Sequence, residues 1–421
     1  MAATGIPRGQ NEESVMSADA TKTVTRGEQM LALRKRRMAA THPFLRGGFR
    51  PFFFVAAMWG VIALGLWLCS LAGLVQLPTR FDALAWHRHE MLFGFVGAAV
   101  AGFLLTAIPN WTGRLPIAGR PLLALFGLWL AARVAVLFSG IVGFMPAAAL
   151  DVGFFAVLTM VGAREVLAAK NRNLPIVAMA LAFTLADAAD YAGNAGVIPD
   201  IGWQLAIALI VILISIVGGR IIPSFTRNWL VKQGHRSRLP TQPAALDLLV
   251  IAGTAICLAF WIAVPANPLT GALLMLAAAL QLLRLARWAG WRTTSDPLVL
   301  VLHIAYLWIP VGLLLLGVSV AGATVARSAA IHALTAGAMT TMILAVMTRA
   351  TLGHTGRDLH ASPPTVALYG CVTAGALLRV AASLGLGPYR LMLDVSGSAW
   401  AAGLVLFLIV YGPMLLRPRS A

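Results

Sequence analysis

Twelve apolar stretches, each about 20 residues long, follow one another along the chain after residue 50. An α-helix of about 20 residues crosses a hydrocarbon core roughly 30 Å thick. Since lipid offers no hydrogen bonds to the backbone, only helices or closed barrels span a membrane, and barrel strands alternate over segments of about ten residues. The sequence therefore predicts an all-α polytopic membrane protein with about 12 transmembrane helices. The predicted spans are residues 52–74, 86–109, 121–143, 146–169, 174–193, 201–223, 244–264, 268–290, 297–320, 328–351, 364–386 and 393–416.

The net charge of +17 by itself would suggest a nucleic-acid partner, but the distribution of basic residues indicates membrane orientation. If the N-terminus is cytoplasmic, residues 1–50, the even-numbered loops and the C-terminal tail carry 26 of the 32 Lys and Arg residues. The odd-numbered loops and adjacent helix ends carry only four. This asymmetry follows the positive-inside rule, so both termini are predicted to be cytoplasmic and no nucleic-acid partner is expected.

The polar N-terminal segment, residues 1–41, is predicted to be disordered and cytoplasmic, with Arg34–Arg37 facing anionic lipid headgroups. It lacks an apolar core, so no cleaved signal peptide is predicted. Residues 42–421 are predicted to form a single twelve-helix transmembrane domain. The three cysteines occur singly in separate spans, which favours buried apolar side chains over a disulfide.

An internal repeat relates the second and tenth predicted helices. Residues 89–114 align without gaps to residues 332–357; both segments begin with His, carry Gly at the sixth position and end in Thr-Gly-Arg. A degenerate third copy, GGRIIPSFTRNW at residues 218–229, ends the sixth helix. A spacing of four helices predicts three four-helix units with pseudo-threefold arrangement.

The repeat places His89 and His332 at equivalent depths near the periplasmic side. Two imidazoles approaching a flat ligand from opposite sides are typical of haem, so this pair is predicted to bind haem b. Arg88 and Arg327 lie near the two histidines and would bind the propionates. His87 is the alternative ligand, because it lies about 200° round the helix from His89 and both cannot face one ligand on a regular helix. Ordinary interfacial histidines remain the other interpretation.

A second metal site is predicted on the cytoplasmic side. His303 lies inside the ninth span with Tyr306 on the same face, and His354 ends the tenth span. Imidazole ligands suit copper, and His87 is a further candidate ligand. Two alternatives remain open: His354 caps its helix, or all the histidines form one centre.

Three carboxylates, Asp151, Asp187 and Asp190, lie near predicted helix ends. We interpret them as interfacial side chains, with a proton path as the alternative.

Six blocks of sequence together resemble the NnrS family of bacterial membrane proteins. They are HPFLRGGFRPFF, WHRHEMLFGF, GFLLTAIPNWTGR, GGRIIPSFTRN, LHIAYLWIPVGL and RATLGHTGR, which follow one another in this order, and the resemblance covers about residues 42–416. The resemblance implies an inner-membrane protein that contains haem and copper and acts in the response to nitric oxide, in denitrifiers and in pathogens under nitrosative stress. The matching positions here are His87, His89, Glu90, His303, His332 and His354.

Three functions are compatible with these observations. The first is a haem and copper protein that binds, senses or converts nitric oxide or a related small redox ligand, supplied by an electron donor or quinol. The motifs define no enzymatic activity and no catalytic residue. The second is a transporter, which would show broken helices at the midplane. The third is an assembly factor for denitrification or respiratory complexes, whose histidines need only pack.

Overall fold

The computed structural model describes residues 40–240, 244–322 and 324–418, together with residues 27, 29, 32 and 33. Within this described part, twelve helices are long and apolar enough to cross a membrane. Their bounds are α1 Phe49–Leu71, α2 Ala83–Thr112, α3 Arg120–Leu137, α4 Phe144–Ala168, α5 Leu174–Asn194, α6 Gly202–Lys232, α7 Ala245–Ala263, α8 Pro268–Arg292, α9 Pro297–Val320, α10 Arg327–His354, α11 Pro363–Ser383 and α12 Tyr389–Leu416. The prediction of an all-α protein with about twelve spans is confirmed.

The helix ends follow local sequence signals. Five of the helices (α3, α5, α8, α9 and α11) carry proline in the first turn, where its missing N–H costs no hydrogen bond. The Thr-Gly-Arg motif stops α2 and α10: Gly113 has φ +66° and Gly356 has φ +76°, the left-handed conformation that glycine adopts without strain. The repeated motif is therefore a helix stop.

Helix α1 packs against α2, each helix from α3 to α11 packs against the next one, and α12 packs against α1. Helices α2, α9 and α10 lie deepest, since 67–72% of their most apolar segments is buried, against 33% for α4 and α7. Residues of α2, α6 and α10 line a common apolar space in the middle of the bundle. The helices that carry the sequence repeat therefore lie inside the bundle, together with α9.

The two aligned copies of the repeat, in α2 and α10, share two local features. A π-helical segment interrupts α2 at Glu90–Val96 and α10 at Ala333–Met339, which are aligned positions in the repeat. The aligned Gly94 and Gly337 each lie against a tryptophan of the preceding helix, where a Cβ atom would approach Trp59 or Trp308 to within about 2.6 Å. Both features favour the predicted repeat; the pseudo-threefold arrangement of all twelve helices stays a prediction.

Two other predictions are not tested by this architecture. The predicted disordered segment at residues 1–41 lies almost entirely outside the described residues. The orientation of the bundle also stays a prediction, so its two ends are named here by their loops. The end formed by the loops after α1, α3, α5, α7, α9 and α11 is called the odd-loop end.

Candidate functional site

A cavity of about 300 Å³ lies near the odd-loop end, between α1, α2, α6, α10, α11 and α12. Its walls are mostly apolar, and Trp67, Phe95 and Trp400 supply large aromatic surfaces. The polar groups are few and concentrated: two imidazoles and three guanidinium groups line it. This combination of a large apolar space and a few directed polar groups is typical of a cofactor or ligand site.

The two imidazoles belong to His87 of α2 and His332 of α10. The Nδ1–H of His332 donates to the carbonyl of Ser328 at 2.7 Å, so Nε2 keeps its lone pair. His87 stacks on Trp67 with ring centroids 4.7 Å apart, and its Nδ1 is buried without a hydrogen-bond partner. Both rings are held in place, and each offers a nitrogen able to bind a metal.

The three guanidinium groups belong to Arg88, Arg327 and Arg379. Arg88 donates to Asp200 at 2.9 Å, and its guanidinium carbon lies 5.1 Å from the centre of the Trp203 ring. Arg379 donates to Ser383 at 2.5 Å. Arg88 and Arg327 were predicted as anion-binding groups, and Arg379 adds a third cation, contributed by α11.

His89 does not line this cavity. It is fully buried on another face of α2, where its Nε2 lies 2.7 Å from Asp151 Oδ2 and its Nδ1 lies 2.9 Å from Asp190 Oδ2. Phe81 and Phe93 pack on the ring with centroids 4.9 and 5.1 Å away. The structure therefore does not bring His89 and His332 to one ligand, and His87 takes the position that the repeat suggested for His89.

His89 belongs to a buried group of charges that we call the acidic cluster: Glu90, Asp151, Asp187 and Asp190, together with His89 and Arg133. Arg133 of α3 donates to Glu90 Oε2 at 2.9 Å and makes an ion pair with Asp151 Oδ1. Trp59 donates to the same oxygen of Glu90 at 2.5 Å. Both oxygens of Asp187 are buried without a hydrogen-bond partner.

The interpretation of the three aspartates as interfacial side chains is wrong. Asp151 and Asp187 are 0% exposed and Asp190 is 1% exposed. They lie near helix ends, as the sequence indicated, but they face inward, and Asp151 accepts a hydrogen bond from Tyr191 at 3.2 Å. The signal that could have revealed them is Arg133, an arginine inside an apolar span that needs carboxylate partners.

The aligned histidines of the repeat lie in separate places of the bundle. Residues related by a repeat occupy equivalent environments, and these are separate places in the molecule unless they lie on the symmetry axis. His89 faces α4 and α5, while His332 lines the space bounded by α11 and α12. The two aligned histidines therefore belong to two different sites.

The predicted copper ligands have separate partners. His303 Nε2 lies 2.8 Å from the hydroxyl of Thr226, whereas Tyr306 donates to Gln281 and accepts from Arg284, both at 2.6 Å. His354 packs against the Phe49 ring with centroids 5.3 Å apart. These contacts do not form a common set of metal ligands. All three residues also lie in the half of the bundle opposite to His87 and His332, which does not favour a single centre.

Two comparisons with known proteins bear on these sites. A family model described as "NnrS protein" matches residues 43–419, nearly the whole chain. No curated protein gives a significant match.

Proposed function

Because this chain belongs to the NnrS family, we propose that it is a haem protein of the bacterial inner membrane that acts in the response to nitric oxide. The observation that supports the proposal most directly is the cavity near the odd-loop end. It combines two imidazoles on different helices with three guanidinium groups, in a space with largely apolar walls. Imidazoles are ligands of haem iron, and guanidinium groups pair with propionate carboxylates.

In this proposal His87 and His332 bind the iron. His332 is prepared for the role because its Nδ1–H is fixed on the Ser328 carbonyl, which orients the ring and leaves Nε2 as the ligand atom. Arg88, Arg327 and Arg379 neutralise the propionates, and Trp67 holds the His87 ring by stacking. Haem would supply a redox-active iron, and nitric oxide would bind that iron in place of one of the two imidazoles.

A second, smaller cavity is suited to a small uncharged ligand. It has a volume of about 70 Å³, lies between α2, α6 and α10, and shares Val96 with the larger cavity. Its walls include Phe53, Ile210, Met342 and Met347. Apolar cavities of this kind stay dry and admit small uncharged molecules, and nitric oxide is such a molecule.

Copper remains part of the proposal only through the family resemblance. His303, Tyr306 and His354 do not fit a common copper site, so we do not assign copper to them. The alternatives of a transporter or an assembly factor gain no specific support. The described spans have π-helical segments in α2 and α10 near the odd-loop end and a break in α8 at residues 287–289, near its C-terminal end, but no unwound segment at mid-depth.

Variants of the histidines test the haem proposal. We expect purified wild-type protein to show a b-type haem spectrum, and His87→Ala and His332→Ala each to lose most of the Soret absorbance because an axial ligand is missing. His235→Ala, in the exposed loop after α6, is the control and should keep the full spectrum. His89→Asn should also keep haem, since His89 lies outside the cavity. Full absorbance in both His87→Ala and His332→Ala would refute the proposal.

A further inference from the structure

Asp187 is a buried carboxylate without a partner. Its side chain is 0% exposed, and neither oxygen has a hydrogen bond. One of its oxygens, one oxygen of Asp151 and one ring nitrogen of His89 all lie within 4.8 Å of one another. We propose that His89, Asp151 and Asp187 bind a divalent transition-metal ion. The inference does not depend on the haem proposal, since none of these residues lines the haem cavity.

Charge balance favours a bound cation. The acidic cluster places four carboxylates, Glu90, Asp151, Asp187 and Asp190, against two cationic groups, Arg133 and His89. All six side chains are at most 1% exposed, and a buried charge without a counter-charge is strongly unfavourable. Even with His89 protonated, the fully ionised cluster lacks two positive charges. A divalent ion supplies positive charge at the place where Asp187 has no other partner.

The geometry is close to that of a metal site. Metal bonds of roughly 2.0–2.2 Å separate neighbouring ligand atoms by about 3 Å and opposite ones by about 4 Å. The three candidate ligand atoms lie within 4.8 Å of one another, and His89 Nε2 is 2.7 Å from Asp151 Oδ2. A small outward movement of these side chains would make room for the ion between them.

The surrounding groups hold the candidate ligands in position. Asp190 accepts from His89 Nδ1 at 2.9 Å, the arrangement in which a carboxylate orients a metal-bound imidazole through its other nitrogen. Arg133 pairs with Asp151 Oδ1, and Tyr191 donates to Asp151 Oδ2 at 3.2 Å. Two of the three candidate ligands, His89 and Asp151, are therefore held in position before any ion binds.

The donor atoms indicate the class of metal. One imidazole nitrogen with carboxylate oxygens suits divalent first-row ions such as Mn²⁺, Zn²⁺ and Cu²⁺. Cu⁺ prefers thiolate or thioether ligands, and the three cysteines lie on α1, α7 and α11, which contribute none of the candidate ligands. By the usual order of stability, Cu²⁺ should bind most tightly.

Metal binding to purified protein tests the inference. Protein in detergent is first treated with a chelator, then dialysed against Mn²⁺, Zn²⁺ or Cu²⁺, and bound metal is measured by elemental analysis. We expect about one tightly bound ion per chain, and at least a tenfold loss of affinity in Asp187→Asn, since even groups around a site change affinity by about 10–100-fold. Binding should also release about one proton from His89, which is measured in weakly buffered solution.

The control is Asp394→Asn, an exposed carboxylate that pairs with Arg390 at 3.1 Å and should leave metal binding unchanged. If Asp187→Asn cannot be purified, the added metal should still raise the unfolding temperature of chelator-treated wild-type protein. Equal metal binding by wild type and Asp187→Asn, or no stabilisation by any of the three ions, would show that protons balance the cluster and would overturn the inference. Haem absorbance, recorded on the same samples, tests the proposed function separately.

Discussion

Arg133 is the residue that holds the acidic cluster together. Its guanidinium is 0% exposed and contacts Glu90 and Asp151, which lie on two different helices, while Arg133 itself belongs to a third. Without it, four carboxylates would face a single imidazole in a region that the sequence places inside the membrane. A buried ion pair of this kind adds little over apolar packing, but loss of one partner leaves an uncompensated charge.

We therefore expect Arg133→Gln to destabilise the protein by about 3–5 kcal/mol, the usual cost of breaking a buried ion pair. The free energy of unfolding in detergent measures the effect. Arg390→Gln is the matched control: its partner Asp394 lies on the exposed surface of α12, so the change should be below about 1 kcal/mol. A difference of less than about 1 kcal/mol between the two variants would contradict a structural role for Arg133.

Single residues also show where sequence reasoning reached its limit. The sequence identified His87, His89, His332, Arg88 and Arg327, and all but His89 line the cavity. The choice between His87 and His89 depends on the rotation of α2 about its axis, which is set by packing against its neighbours. Composition and repeat alignment carry no information on that rotation.

At the scale of the helix, the sequence predicts which segments form helices but not the geometry inside each helix. Apolar runs of about 20 residues predict spans directly, and ten of the predicted C-terminal boundaries differ from the structure by at most three residues. Helix α3 ends six residues before its predicted end, at Leu137, and α6 continues nine residues beyond the predicted end at Pro223 to reach Lys232. The π-helical segments of α2 and α10 left no signal, since an i→i+5 turn depends on packing more than on residue type. These segments follow directly after His89 and His332.

The π-helical segment of α10 can be tested by shortening it. Each such turn contains one residue more than an α-helix needs, so deletion of Ala336 should restore regular α-helix and rotate His332 by about 100° relative to the rest of α10. We expect the variant to insert into the membrane but to lose the haem spectrum. Ala336→Ser, which keeps the length of the segment, should retain it. Unchanged haem absorbance after the deletion would show that the π-helical geometry does not orient His332.

At the scale of the whole molecule, the repeat predicted which helices matter but not how their spaces connect. Helices α2, α6 and α10 carry the three copies of the motif, and they line the central apolar cavity. That cavity shares Val96 with the proposed haem cavity and shares Val100, Ile210 and Leu213 with a third apolar cavity between α2, α4, α5 and α6. Residues far apart in the sequence form the walls that these cavities share, so the sequence alone could not predict how the cavities adjoin.

The adjoining cavities predict a route for an uncharged gas through the bundle to the haem. Val96 is 4% exposed and lines both the central apolar cavity and the proposed haem cavity. The larger side chain of Val96→Trp should therefore fill the space between them. We expect nitric oxide to bind the haem about tenfold more slowly in this variant, which corresponds to about 1.4 kcal/mol in the barrier. The equilibrium affinity of the haem for nitric oxide should change less, because the substitution lies on the route to the haem. Stopped-flow mixing measures the rate, and Val395→Trp, on the exposed face of α12, is the control. Equal binding rates in the two variants would mean that the gas reaches the haem by another path, such as directly from the odd-loop end.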